Sequence, residues 1–192
     1  MLMNNYEILI NKENKIAEDF YKNFELIEIL NVENQKIQIE KLTYEKYLKL
    51  KERLKLENVE LGILNSFRDF EEQKEILKEY IEIYGEEDAY KLAAIPGTSE
   101  HHTGLAIDIT VKMSNGEFAL TNEELYDEDE RFKSVHKYLK DYGFILRYHK
   151  GKEEITKYSY EPWHIRYVGD KIAKICDEKN IVLEEYYQMQ NM

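Results

Sequence analysis

A single cysteine, Cys176, excludes a disulfide within the chain, and its place in the apolar-periodic stretch 172–176 predicts burial. Two prolines and eight glycines in 192 residues leave no Pro- or Gly-rich linker, and no repeat or low-complexity tract divides the chain. No apolar run approaches the roughly 20 residues that cross a bilayer. Residues 1–20 offer only short runs such as Ile8-Leu9-Ile10, less than the about 7–15 apolar residues of a secretory signal. Positive charge is scarce: 27 Lys and Arg face 39 Asp and Glu, a net charge of -12. Nucleic-acid and anionic-membrane surfaces carry the opposite, basic footprint, so both partners are excluded. The sixteen tyrosines do not change this, because in a half-buried sheet tyrosine is a packing residue.

What is present is enough for one core. With 43 % apolar and 12 % aromatic residues, the chain reads as one domain over 1–192, with N-terminal strands in 1–40 and the main body in 41–192. Residues 6–10, 24–30 and 36–39 read as strands, the last two around a polar turn at 31–35. Thr43 is placed to cap a helix to about residue 56, and Asp69 another that Gly85 ends. Residues 61–64 read as a strand, 86–94 as a helix, 105–111 as a strand and 121–142 as one helix. Residues 144–148 and 154–158 then pair across 149–152, residues 163–168 join them, and helices at 171–179 and 183–188 close the chain. The class is α+β, a central antiparallel sheet flanked by helices.

Two stretches carry chemistry: Ser99-Glu100-His101-His102-Thr103-Gly104-Leu105-Ala106-Ile107-Asp108 and Glu161-Pro162-Trp163-His164. They hold three of the five histidines. Leu105, Ile107 and Ile109 alternate with Ala106, Asp108 and Thr110, a strand with one apolar face from which Asp108 points away. Gly104 permits a turn that folds His101 over that polar face. Trp163, Ile165 and Tyr167 alternate with His164, Arg166 and Val168. A straight strand would put Glu161 and His164 on opposite faces, but Pro162 makes the strand begin after it and leaves Glu161 free to lean in. Single histidines and aspartates in strands are usually structural; an aspartate inside an apolar strand beside two histidines is costly unless paired. A catalytic zinc site takes three protein ligands and leaves a position for water, which a nearby carboxylate can deprotonate. The residues fit that pattern on the sheet: His101, Asp108 and His164 as ligands, Glu161 as base.

The motifs resemble those of the VanY-type D-alanyl-D-alanine carboxypeptidases, zinc peptidases of bacterial cell-wall stem peptides related to VanX-type dipeptidases. Ser99, His101, Gly104, Ala106 and Asp108 carry one pattern, and Glu161, Trp163, His164, Arg166, Tyr167, Val168 and Gly169 the other. Ser66, Arg68, Gln73, Pro96-Gly97, residues 143–148 and residues 183–186 support them. The resemblance implies one Zn2+ per chain and a peptidoglycan stem peptide or its precursor as partner, bound by a monomer. By the same resemblance Arg68 faces the scissile carbonyl or terminal carboxylate, and Gln73, Ser99 and Tyr148 hold the peptide. On the residues alone, Arg68 is equally a helix-start residue paired with Asp69 or Glu72, and Arg166 a buttress for a carboxylate behind a ligand.

Departures from the family pattern bear on specificity. His102 stands where Gln is common and reads as a hydrogen-bonding side chain; Phe67 replaces Tyr; His149 and Lys157 replace Pro and Gly and are expected at the pocket rim. Three functions compete: removal of a terminal D-Ala from a pentapeptide stem, with L,D-carboxypeptidase, dipeptidase or endopeptidase action as variants on the same metal set; a zinc-holding module without turnover, which predicts loss of Glu161 or Arg68; and an acidic interaction domain with incidental histidines. Both Glu161 and Arg68 are present, which favours the first. Two locations fit this reading: the cell envelope, reached by an export segment outside this sequence, or the cytoplasm.

Overall fold

The apolar alternation of the two motif strands puts them side by side in the middle of a sheet. In the computed structural model, which describes residues 5–190, β3 (Leu61–Asn65), β4 (Ala106–Val111), β6 (His164–Tyr167) and β5 (Phe144–Leu146) form a four-stranded antiparallel sheet in the order β3-β4-β6-β5. A separate hairpin pairs β1 (Leu26–Leu30) with β2 (Lys36–Glu40). The α+β class read from the sequence is therefore what the chain adopts.

Eight helices complete the described residues: α1 (Lys41–Lys55), α2 (Phe70–Tyr84), α3 (Glu86–Leu92), α4 (Asn122–Asp127), α5 (Asp129–His136), α6 (Glu153–Thr156), α7 (Asp170–Lys179) and α8 (Leu183–Gln190). Ile107, Ile109 and Ile165 point from the central strands into a core shared with Leu50 and Leu54 of α1 and Phe132 and Val135 of α5. A second cluster packs Ile145 of β5 against Ile172, Ala173 and Cys176 of α7 and Leu183 of α8. Cys176 is buried there, as its periodicity predicts.

Four expectations are corrected. Residues 6–10 are not a strand: Tyr6 lies in a short 3-10 turn, and the carbonyls of Tyr6 and Ile8 accept from the Arg166 guanidinium at 3.3 and 2.9 Å instead of from a neighbouring strand. Residues 154–158 do not pair with 144–148. They enter α6, which ends at Lys157 in the left-handed region, and β5 takes β6 as its partner. The helix expected over 121–142 breaks into α4, α5 and a 3-10 turn at Leu139–Tyr142, with the first break at Glu128 within a run of four carboxylates. Finally, α1 is capped not by Thr43 but by Glu40, whose carboxylate accepts from the N–H groups of Leu42 and Thr43 at 3.0 and 2.7 Å. The capping box expected at Asp69 is present, reciprocated by Glu72.

Gly104 links the first motif's turn to β4 with φ at +71°. A Cβ there would lie 2.8 Å from both the Glu40 nitrogen and Leu26 Cδ2, so the hairpin seats directly on the glycine. Gly116 also has positive φ, +88°, but nothing surrounds it. Gly116→Ala should therefore cost only the left-handed backbone term of about 1–2 kcal/mol. Gly104→Ala adds a backbone clash and should cost clearly more, well above about 2 kcal/mol. Urea unfolding of the two variants checks the ranking; equal midpoints would contradict the close seating of the hairpin.

Candidate active site

Strand register brings the motif residues together. Asp108 of β4 lies directly opposite His164, the first residue of β6, and has Asn65 of β3 on its other side, where β3 carries an irregularity. Pro162 and Trp163 form the turn expected before β6. The His164 N–H donates to the Glu161 carbonyl at 3.2 Å, which folds Glu161 back so that its Oε2 lies 3.5 Å from His164 Nδ1. His101 sits on a 3-10 turn, Glu100–Thr103, whose start is capped by Ser99 Oγ. Its Nδ1 meets the Ser66 carbonyl at 2.6 Å. A carbonyl only accepts, so Nδ1 carries the proton and Nε2 is left bare, 3.3 Å from Asp108 Oδ2.

The donor set fits a metal ion. His101, Asp108 and His164 each offer one ligand atom, all within 4.8 Å of one another, and they are the group of this kind found among the described residues. Both imidazoles are buried. Burial holds His101 below its ordinary pKa against the pull of Asp108, which keeps the ring neutral, as a ligand must be. Asp108 is held well below the carboxylate range: burial opposes ionisation, but His101 and His164 outweigh it. Glu161 differs. Burial, with Asp108 adding, pushes its carboxyl up to about 8 against the opposing pull of His164 and Arg68. A carboxyl so placed, near the ligands and outside their set, is suited to exchanging a proton.

These groups open onto a cavity of about 140 Å³ that Arg68, Gln73, Ser99 and Tyr148 also line. Arg68 Nη1 donates to Gln73 Oε1 at 2.9 Å, and Gln73 Nε2 in turn donates to the Ala94 carbonyl at 2.8 Å. This fixes the guanidinium, whose buried Nε has no protein partner. Arg68 is thus not the surface helix-start residue that Asp69 and Glu72 would have allowed. Tyr148 lays its ring 4.8 Å from that of His164. Ser66, by contrast, lies under the site and bonds the Ala106 carbonyl at 2.8 Å. Tyr80, Asn122, Tyr126 and Tyr158 line the cavity without having been singled out from the sequence. No motif marks them among sixteen tyrosines.

The departures resolve geometrically. His102 Nδ1 donates to the Arg68 carbonyl at 2.7 Å and its Nε2 accepts the Gly97 N–H at 3.0 Å, so both ring nitrogens are used in stapling the loop. His149 and Lys157 do not rim the cavity, contrary to expectation. His149 bonds the Leu146 carbonyl at 2.9 Å and borders a different cavity, and the Lys157 carbonyl accepts from Lys12 at 2.7 Å. Phe67 packs on Tyr21, away from the ligands.

One residue inside the first motif was read past: Glu100. It is 1 % exposed. Its Oε1 accepts from Arg147 Nε at 2.8 Å and contacts Arg166 Nη1 at 2.9 Å. Arg147 is clasped on its other side by both oxygens of Glu184, at 2.7 and 2.9 Å. Two carboxylates and two guanidiniums thus neutralise one another behind His164, and Arg166 is the buttress the sequence allowed. Burial works against the Glu100 charge, but the two arginines outweigh it and hold its carboxyl well below the usual range.

A family model described as VanY, D-alanyl-D-alanine carboxypeptidase, matches residues 36–170. A D-alanyl-D-alanine carboxypeptidase of Enterococcus faecium is 44% identical over 125 residues, 65% of this chain and 35% of the relative. The chain spans about half, or less, of the length of the curated relatives it matches first. Among solved structures, the LdcB LD-carboxypeptidase is 40% identical with a TM-score of 0.69, over 79% of this chain and 69% of that one. The D,D-pentapeptidase VanY of a VanB-type vancomycin-resistance cassette, in complex with Zn(II), is 29% identical with a TM-score of 0.74, over 96% of this chain and 99% of that one. The motifs, their side-by-side placement on the sheet and the family match agree: the chain belongs to the VanY D-alanyl-D-alanine carboxypeptidase family.

Proposed function

We propose that this chain, acting as one catalytic domain over residues 1–192, is a zinc-dependent carboxypeptidase that removes the C-terminal D-Ala from peptidoglycan stem peptides. The observation that carries the reading is the convergence of His101, Asp108 and His164 within 4.8 Å, with Glu161 outside the ligand set and 3.5 Å from His164. A zinc ion held by those three side chains supplies Lewis acidity, lowering the pKa of a water and polarising a carbonyl. Glu161 takes the proton of the attacking water and returns it to the leaving amine as the C–N bond breaks, so that one carboxyl serves both transfers. Arg68, with Nη1 fixed by Gln73 and Nη2 3.8 Å from Asp108 Oδ2, brings its positive charge to the cavity wall, where it serves a substrate carboxylate or developing oxyanion. Ser99 and Tyr148 line the same cavity and hold the peptide beside it. Tyr80 and Tyr126 also line this cavity.

A second reading is favoured by one comparison, the 40% identity to an LD-carboxypeptidase. It uses the same residues on a stem one residue shorter. Mass spectrometry after incubating the zinc-loaded protein with tri-, tetra- and pentapeptide stems separates the two: loss of one alanine from the pentapeptide supports the first, loss from the tetrapeptide alone the second, and no cleavage of either overturns both.

Glu161→Gln keeps shape but cannot accept the proton. Turnover should fall by about 100- to 10,000-fold, with zinc content unchanged; loss of zinc would make Glu161 a ligand instead.

The adjacent histidines should separate cleanly. His101→Ala removes a ligand and should abolish zinc binding, whereas His102→Gln, whose amide can still donate to Arg68 and accept from Gly97, should keep the metal and most activity. Metal analysis giving the reverse order would put the ligand at His102.

A further inference from the structure

His164 has two ring nitrogens in different surroundings. Nδ1 faces the ligand cluster, 3.2 Å from Asp108 Oδ1. Nε2 points the other way and lies 3.6 Å from Glu100 Oε2. Both of those atoms are buried, and neither has another hydrogen-bond partner. They face each other at a separation that a small rotation of either group brings into hydrogen-bonding range. Leaving two such groups unpaired in a dry interior is expensive.

We infer that Glu100 is the positioning residue of His164: its carboxylate, held in place by Arg147 and Arg166, accepts the Nε2–H of the imidazole and so commits Nδ1 to the metal. Two features set Glu100 apart from a carboxylate that only neutralises arginines. Its Oε1 accepts from Arg147 Nε and lies 2.9 Å from Arg166 Nη1, whereas Oε2 has no such partner and faces the ring. A carboxylate flanked by two guanidiniums is also a stronger acceptor for the Nε2 proton than a carbonyl is, which raises the basicity of Nδ1. His101 is served differently, by the neutral Ser66 carbonyl. The two histidine ligands are therefore oriented by unlike acceptors, one carbonyl and one carboxylate, and the stronger acceptor stands behind His164.

The inference rests on the metal site proposed above, and the test separates the two. Zinc affinity is measured by competition with a chromogenic chelator for the wild type, Glu100→Gln and Glu184→Gln. Glu184 is the control, because it is nearly as buried and clasps the same Arg147 but does not approach a ligand. Glu100→Gln should weaken zinc binding by about 10- to 100-fold, while Glu184→Gln lowers thermal stability and leaves zinc affinity within the scatter of repeat titrations. In the zinc-loaded wild type, nitrogen-15 NMR should show His164 with a metal-bonded Nδ1 and a protonated Nε2 whose N–H exchanges slowly; this readout decides alone should Glu100→Gln fail to fold. Equal loss of affinity in both variants, or zinc bonded to His164 Nε2, overturns the role of Glu100. A wild type that binds no zinc overturns the metal site itself.

Discussion

The arrangement on which the fold behind the site depends is a buried quartet of charges, Glu100, Arg147, Arg166 and Glu184, of which Glu100 alone approaches His164. It joins parts of the chain that share no local structure. Glu100 comes from the turn before β4, Arg147 from the end of β5, Arg166 from the middle of β6 and Glu184 from α8. Asn11 of the N-terminal segment adds a bond to Glu184 at 3.1 Å, and Arg166 gathers the carbonyls of Tyr6 and Ile8. Removing one member would leave a buried charge unmatched, a loss of about 3–5 kcal/mol in comparable pairs. The quartet is nonetheless not the cheapest way to fill a core, since apolar residues of similar volume often do as well or better. Its place directly behind His164, a proposed ligand, offers it a use beyond stability.

Two kinds of constraint then converge on the cavity. Backbone pairing sets Asp108 and His164 opposite each other, and a register slip of one residue would send both to the other face. Hydrogen bonds set the orientation of the flanking side chains: the Ser66 carbonyl for the His101 ring and the Gln73 amide oxygen for the Arg68 guanidinium. Glu161 is placed by neither. The turn that Pro162 imposes ahead of β6 brings it to the metal side of His164, and burial there raises its proton affinity. One strand pair and one turn thus bring the proposed ligands and base together from a short stretch of sheet.

The candidate ligands and base stand out in the sequence because the chemistry proposed for them restricts residue type and because period-two alternation fixes the side of a strand. The bend at Pro162 was legible for a local steric reason. Glu100 was not, although it lies in the same motif, because its partners arrive from β5 and β6 and nothing nearby in sequence announces them. The same nonlocality misled the reading of residues 6–10: their apolar run suits a strand, but a guanidinium takes the carbonyls that a ladder would have used. Residues 153–156 are too few for either periodicity to decide. The cavity walls contributed by Tyr80, Asn122 and Tyr126 were hidden for a third reason, since tyrosines and an asparagine on helices look alike whether they face a substrate or solvent.

In the proposed site three side chains hold one zinc ion through His101 Nε2, an Asp108 oxygen and His164 Nδ1, with Glu161 left unbonded. An anomalous difference map from crystals grown with zinc, recorded on both sides of the zinc absorption edge, tests it directly. One strong peak per chain is expected, about 2.0–2.2 Å from each of those three atoms. A peak bonded to Glu161 or His102 in place of one of them, or no peak in a protein that still cleaves its peptide, would contradict it.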